Sequence, residues 1–332
     1  MNFDFLDFEK SVPKPLVDYY LEKLQIDADG RSIESMYNAL NEQKPELVES
    51  LYNNFCYAGK TAVNIFEETT LPEGFLTRER VIKILRNELG MTDIFDKEFR
   101  PPLSEEPQIN YVEDRNDSIL IQFVAKGKAR RLRNGYDIIE VSSVQFEFAI
   151  IRFMGPTIIE LRCSYNQHTK FLSSFENYFR RELNEEGREF NWIPITKVSN
   201  QEAENIAKIL VAGLVEADHK VDGIYDRHIV TASPQIRNLR EQEEYITLFK
   251  NKMLLSQSLI ITSEENTPFG KYESDVKFKI NLNTGFQFLS KVSESVIDYV
   301  MGVFIDVRYN GLTPELIIEK QTNEENKDKV NV

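Results

Sequence analysis

Apolar positions along this chain change their period part-way. Over the first hundred residues they recur at helical spacing. Leu16, Tyr19, Tyr20 and Leu24 line up in a segment opened by Pro15, a residue suited to a first helical turn. Ser32 stands as an N-cap before Ile33, Met36, Tyr37 and Leu40. From Pro45 the pattern joins Leu47, Val48, Leu51, Tyr52 and Phe55, and predicts a bend near Gly59 before Val63 and Phe66 continue the helix. Thr77 opens another run through Val81, Ile82, Leu85 and Leu89, with Gly90 as its C-terminal stop. These segments predict an all-helical domain over residues 1–99. Residues 100–107 carry Pro101, Pro102 and Pro107, which excludes regular helix and marks a linker.

After the linker the period becomes two. Ile119, Ile121 and Phe123 alternate with Leu120, Gln122 and Val124. Asn134-Gly135 follows, a dipeptide that closes hairpins. Val144, Phe146, Phe148 and Ile150 then face one way, with Gln145 and Glu147 on the polar side. Gly155-Pro156 turns the chain into a third strand, Thr157 to Cys163. A helix from Asn166 carries Phe171, Leu172, Phe175, Phe179 and Leu183 as a stripe for covering the sheet. Ser199 and Glu202 form a capping box for a helix running through Ile206, Ile209, Leu210 and Leu214. Strands are expected at Ser258–Thr262 and Val276–Leu282, then a helix from Phe286 to Tyr299 and a strand from Val303 to Tyr309. The fold class is therefore α+β: an N-terminal all-helical domain followed by a mixed, largely antiparallel sheet body, covered by helices on one face. That body spans 108–319, with a division into two sub-units expected near 186–199. Residues 320–332 lack apolar anchors and are expected to be disordered.

Composition narrows the class of protein. The chain has 332 residues, 41% hydrophobic and 28% charged, which is ordinary for a globular protein. Its two cysteines, Cys56 and Cys163, cannot build a disulfide framework or a four-thiolate zinc site. No apolar run approaches the ~18 residues of a membrane helix, and the acidic N-terminus is unlike a secretory signal. A cytoplasmic protein without membrane partners is expected.

Charge is uneven. The chain carries a net of −14. Residues 1–110 hold 12 Lys/Arg against 21 Asp/Glu, and residues 111–185 hold 11 against 10. Inside that middle segment Lys126, Lys128, Arg130, Arg131 and Arg133 fall in an eight-residue window without an acid. The run falls at or just after the end of a strand, before Asn134-Gly135, and is expected on a hairpin loop; in a strand, Lys126, Lys128 and Arg130 would share one face, a row able to track phosphates, with Arg180 and Arg181 as its extension. The plainer reading is a solvated loop that keeps a sheet edge soluble.

Other candidate chemistry is weaker. Gly59-Lys60-Thr61 lacks the glycine five positions upstream that a phosphate loop needs, since Asn54 stands there. Asp218, His219, Asp222, Asp226 and His228 are proper metal ligands by type, but their spacing matches no known site. The plainer reading puts His219 at a helix C-terminus before a turn at Asp222-Gly223. Asp275 and Lys277 would share one face of a strand, as in nucleases that use an upstream acid. His168 reads as a helix-start residue and Cys163 as inert core. No cofactor, catalytic residue or metal ligand is assigned. The expectation is a binding or adaptor protein without enzymatic activity, with a protein partner or a nucleic acid met through the basic run. The alternative is a metal-dependent hydrolase or nuclease using Asp218, His219, Asp222 and His228, or Asp275 with Lys277.

Overall fold

The computed structural model describes residues 3–57, 61–96, 98–115, 117–153, 156–221 and 225–316, apart from the side chains of Lys128, Arg130, Asn134 and Ser142. Four helices come first: α1 (Phe5–Ser11), α2 (Lys14–Leu24), α3 (Ile33–Gln43) and α4 (Pro45–Phe55). β1 (Ala62–Glu68) and α5 (Arg78–Leu89) precede a run of strands. These are β2 (Gln108–Asp114), β3 (Ser118–Asn134), β4 (Asp137–Phe153) and β5 (Thr157–Arg162). α6 (His168–Leu183) and the short β6 (Trp192–Pro194) follow. The remainder comprises α7 (Asn200–Ile209), β7 (Gly213–Lys220), β8 (Arg227–Thr231) and α8 (Glu243–Phe249). It ends with β9 (Leu254–Thr267), β10 (Gly270–Asn281), β11 (Gly285–Phe288) and α9 (Glu294–Tyr309). The chain is α+β, and its strand pairs are antiparallel.

The described residues fall into two compact units, Ala62–Thr196 and Asn2–Thr61 with Lys197–Val332. In the first, strands run in the order β2-β3-β4-β5-β1, with β6 beside β1. One face of this sheet is covered by α5 and α6: Phe171, Phe175 and Phe179 meet Phe66, Phe123 and Leu161 in one apolar cluster. The ring of Phe123 sits edge-on to Phe171 and Phe175. In the second unit the order is β11-β10-β9-β7-β8. Its core includes Phe278, Ile280 and Phe286, the last edge-on to Phe304 of α9.

Many local signals act as expected. Ser32 and Thr77 cap α3 and α5, Gly90 ends α5 in the left-handed conformation, and Ser199 with Glu202 forms the capping box of α7. Asn166 introduces a single 3-10 turn, and α6 proper begins at His168. Other segments differ. Val63 and Phe66 lie on β1 rather than on a helix; Val63 and Ile65 are fully buried and Phe66 nearly so, and a short apolar run buried on both faces has no readable period. Leu214 belongs to β7, because α7 stops at Ile209 and Val211 turns the chain with φ 51°. Val303–Tyr309 continues α9 rather than forming a strand, and Phe286 belongs to β11. Buried residues on nearly every side of α9, from Val296 to Val307, hide its helical period. Gly59, Lys60, Gly155, Asp222, Gly223 and the 320–332 tail lie outside the described residues.

Candidate functional site

The basic run is on a strand, not a loop. β3 and β4 are both 17 residues long, and they pair along their whole length, from Ser118 opposite Arg152 to Asn134 opposite Asp137. The inner half is ordinary sheet: β2 pairs β3 as far as Val124, and β5 pairs β4 from Phe148 onward. Outside those limits the two strands continue as a ribbon over 126–146. At about 3.3 Å per residue its nine β3 residues, 126–134, extend about 30 Å.

Two glycines shape this arm. Gly135, with φ 64°, takes the first position of the two-residue turn Gly135-Tyr136, the place where a hairpin turn tolerates left-handed backbone. Gly127 lies in a bulge between Lys126 and Ala129, where a Cβ would come within 2.3 Å of Ser143 Oγ and 3.0 Å of the Ser143 carbonyl oxygen. The bulge shifts the pairing register by one residue between Lys126 and Ala129, so β3 is not an unbroken strand there. Arg131 stands opposite Glu140, Arg133 opposite Ile138, and Arg130 opposite Val141.

The arm is rich in apolar side chains as well as cations. Leu132, Tyr136, Ile138, Ile139, Val141, Val144 and Phe146 are all exposed, Ile138 at 67%. Lys126, Arg131 and Arg133 are exposed beside them. Residues 126–146 hold five Lys/Arg against Asp137 and Glu140. Arg131 and Glu140 approach to 3.6 Å, but both are well exposed, so solvent screens most of their attraction. The exposed apolar residues were the part missed from sequence. Their signal was a β-forming pattern on both sides of Asn134-Gly135 that continued through the cations.

At the root of the arm the expected faces are exchanged. Val144 and Phe146 are exposed, whereas Glu147 points to the side covered by α6, opposite Phe123 and in line with Ala149 and Ile151. Gln145 Nε2 donates to Glu147 Oε1 at 2.6 Å and to Gln167 Oε1 at 3.2 Å. A cavity of about 30 Å³ lies among Phe123, Gln145, Glu147, Gln167, Lys170 and Phe171. Burial pushes the Glu147 carboxyl up to about 7, with the Gln145 hydrogen bond opposing. Burial also raises the neighbouring Cys163 thiol well above its usual range, which leaves it a poor nucleophile.

Arg180 and Arg181 occupy the last turn of α6, whose first turn adjoins the arm at Gln167. The ten residues from Lys170 to Arg180 put about 15 Å of helix between them. Arg180 donates to Glu176 and to the Arg188 carbonyl, and Arg181 pairs with Glu88. These two arginines are engaged at the far end of the helix from the ribbon. Lys170, whose ammonium donates to the Glu105 carbonyl, is the α6 cation nearest the arm.

Residues of the alternative chemistry are also engaged. His219 sits on β7, not at a helix end; its Nε2 is 2.9 Å from the Tyr245 hydroxyl and its ring stacks on Phe249. Burial lowers its pKa, with a backbone hydrogen bond at Lys252 opposing. Asp218 is buried and accepts from Arg227 Nε at 3.2 Å, and His228 stands across from His219 on β8. Asp275 accepts from both terminal nitrogens of Arg237, at 2.7 and 3.0 Å. Among the described residues no three His, Cys, Asp or Glu side chains are grouped to hold a metal ion, and no helix is long and apolar enough to cross a membrane. No family model matches the chain, and no curated protein shows significant similarity to it.

Proposed function

We propose that this chain is a cytoplasmic binding protein, without enzymatic activity, that engages double-stranded nucleic acid through the β3–β4 arm. The observation that carries the reading is the arm's combination of length, exposure and charge: a basic, apolar two-stranded ribbon on an otherwise acidic chain. A ribbon of two strands fits the width of a major groove. Cations along β3 would meet phosphates and fix its position, while apolar side chains such as Ile138 and Ile139 suit base edges and thymine methyls. The acidic remainder repels a polyanion and so confines contact to the arm.

The test is binding of a fluorescent 20-base-pair duplex by the full chain, followed by anisotropy over a range of salt. Each phosphate contact contributes about −0.9 to the slope of log K against log salt. Replacing Arg130, Arg131 and Arg133 with Glu should therefore flatten the slope by about three and weaken binding at low salt. Unchanged affinity and slope in that variant, or no binding by the parent chain at low salt, refutes the proposal.

A further inference from the structure

We propose that the outer half of β4 pairs edge to edge with the same strand of a second copy, giving a dimer with a four-stranded arm. Two exposed edges border the ribbon, and they are protected very differently. The β3 edge carries all five cations, is interrupted by the bulge at Gly127, and is met at Lys126 by the Ser104 carbonyl, which accepts from the Lys126 amide at 2.7 Å. Lysines, arginines and bulges are devices that stop strands from adding to an edge. The extra residue of the bulge lies on β3, so β4 runs unbroken opposite it; from Asp137 to Phe146 β4 has no cation, and only Asp137 and Glu140 carry charge there. Among the described residues, no strand of this unit pairs with it on that side before Phe148.

Its sequence suits pairing with itself. Ile138, Ile139, Val141, Val144 and Phe146 are strong strand formers, each exposed by two-fifths or more. Antiparallel pairing about a two-fold axis through the middle of 138–146 sets Glu140 opposite Val144 and Ile138 opposite Phe146. Within 138–146 no like charges then face one another across the seam, and aromatic and β-branched side chains meet as cross-strand pairs. An isolated two-stranded ribbon is marginal in water, whereas a four-stranded sheet is not. Pairing of one β4 edge with another closes after two copies, while pairing of β4 with β3 would continue into an open array. The dimer sets both basic β3 edges on the outside, about 14 Å apart at three strand spacings; a four-stranded arm is wider than a major groove, so the ribbon that enters a groove is that of the monomer. The pairing depends on the exposed edge alone, not on what the cations bind.

Sedimentation velocity of the full chain from about 1 to 100 µM is the test, a span that brackets micromolar association. A reversible monomer–dimer equilibrium is expected, with a dimer of twice 38.7 kDa. Val141→Lys with Val144→Lys should weaken it at least about tenfold, since charge on an edge blocks strand addition. Arg131→Gln with Arg133→Gln should leave it unchanged. Hydrogen exchange of the parent chain should slow more over 138–146 than over 126–133 as concentration rises; this readout stands even if the lysine variant does not fold. A monomer at every concentration, an open-ended polymer, or a dimer that persists in the folded lysine variant overturns the proposal. Nucleic-acid binding that fails at concentrations where the chain is monomeric would count against the proposed function and leave this pairing intact.

Discussion

Glu147 makes the thermal stability of this protein depend on pH near neutrality, and Glu147→Gln removes that dependence. In the folded chain the carboxyl titrates at about 7, against an ordinary value of 4.5, because Phe123 and the first turns of α6 keep water from it. The folded state holds the proton more tightly than the unfolded state. Its contribution to stability is therefore complete below pH 4.5 and is lost as the pH rises through 7. The two values differ by about 2.5 pH units, and at 1.36 kcal/mol per unit the loss is roughly 3 kcal/mol, most of it between pH 5 and 8. Glutamine keeps the shape and cannot ionise. The variant should match the parent at acid pH and melt higher at pH 8, by about 2–4 °C for each kcal/mol. Melting curves of both proteins at half-unit steps from pH 5 to 8 check this. Parallel curves across the whole range would show that Glu147 does not change its protonation there, and would refute the argument.

Glu160 behaves in the opposite sense. It is fully buried with Arg162 beside it at 2.9 Å and Arg152 at 2.8 Å. Burial alone would raise its pKa, but the two guanidinium groups prevail and hold it at about 2. Its contribution is present above 4.5 and lost as pH falls through 2. Glu160→Gln removes the buried carboxylate that both guanidinium groups face and should cost about 3–5 kcal/mol in denaturant melts at pH 7; a loss below 1 kcal/mol would contradict this account. Ser199→Ala removes the hydroxyl that accepts from the Glu202 amide at 3.2 Å. A cost of about 1 kcal/mol is expected, read as a shift in the urea midpoint, and an unchanged midpoint would mean that the cap is not limiting.

Local rules were legible wherever one side of an element met water. The caps at Ser32, Thr77 and Ser199, the stop at Gly90 and the stripe on α6 depend on three or four neighbouring residues, so the sequence reports them directly. Burial on both sides removed the signal. β1, with Val63, Ile65 and Phe66 all buried, resembled a helix, and the C-terminal half of α9 resembled a strand. The strand β4 shows the same difficulty within one element. Near Ile150 and Ile151 both its faces are buried, so alternation gives no direction, and the side assigned to the core proved to be the exposed one at Val144 and Phe146. Glu147 then looked like a surface residue. Only the position of α6, set by contacts distant in sequence, shows that it is not.

The basic run was visible as charge but not as a ribbon, because the bulge at Gly127 breaks the period that would have marked a strand. This distinction changes how variants of the arm are to be understood. On the ribbon, the same cations share a two-stranded scaffold with exposed apolar residues, and neither group belongs to the packed core. Substitutions at exposed positions usually change stability by less than about 0.5 kcal/mol. A loss of binding at Arg131 or of pairing at Val144 therefore reports the contact itself, with the fold intact. Glu147 and Glu160 offer the contrast: their effects pass through stability, and pH separates them because one carboxyl titrates above its ordinary value and the other below it.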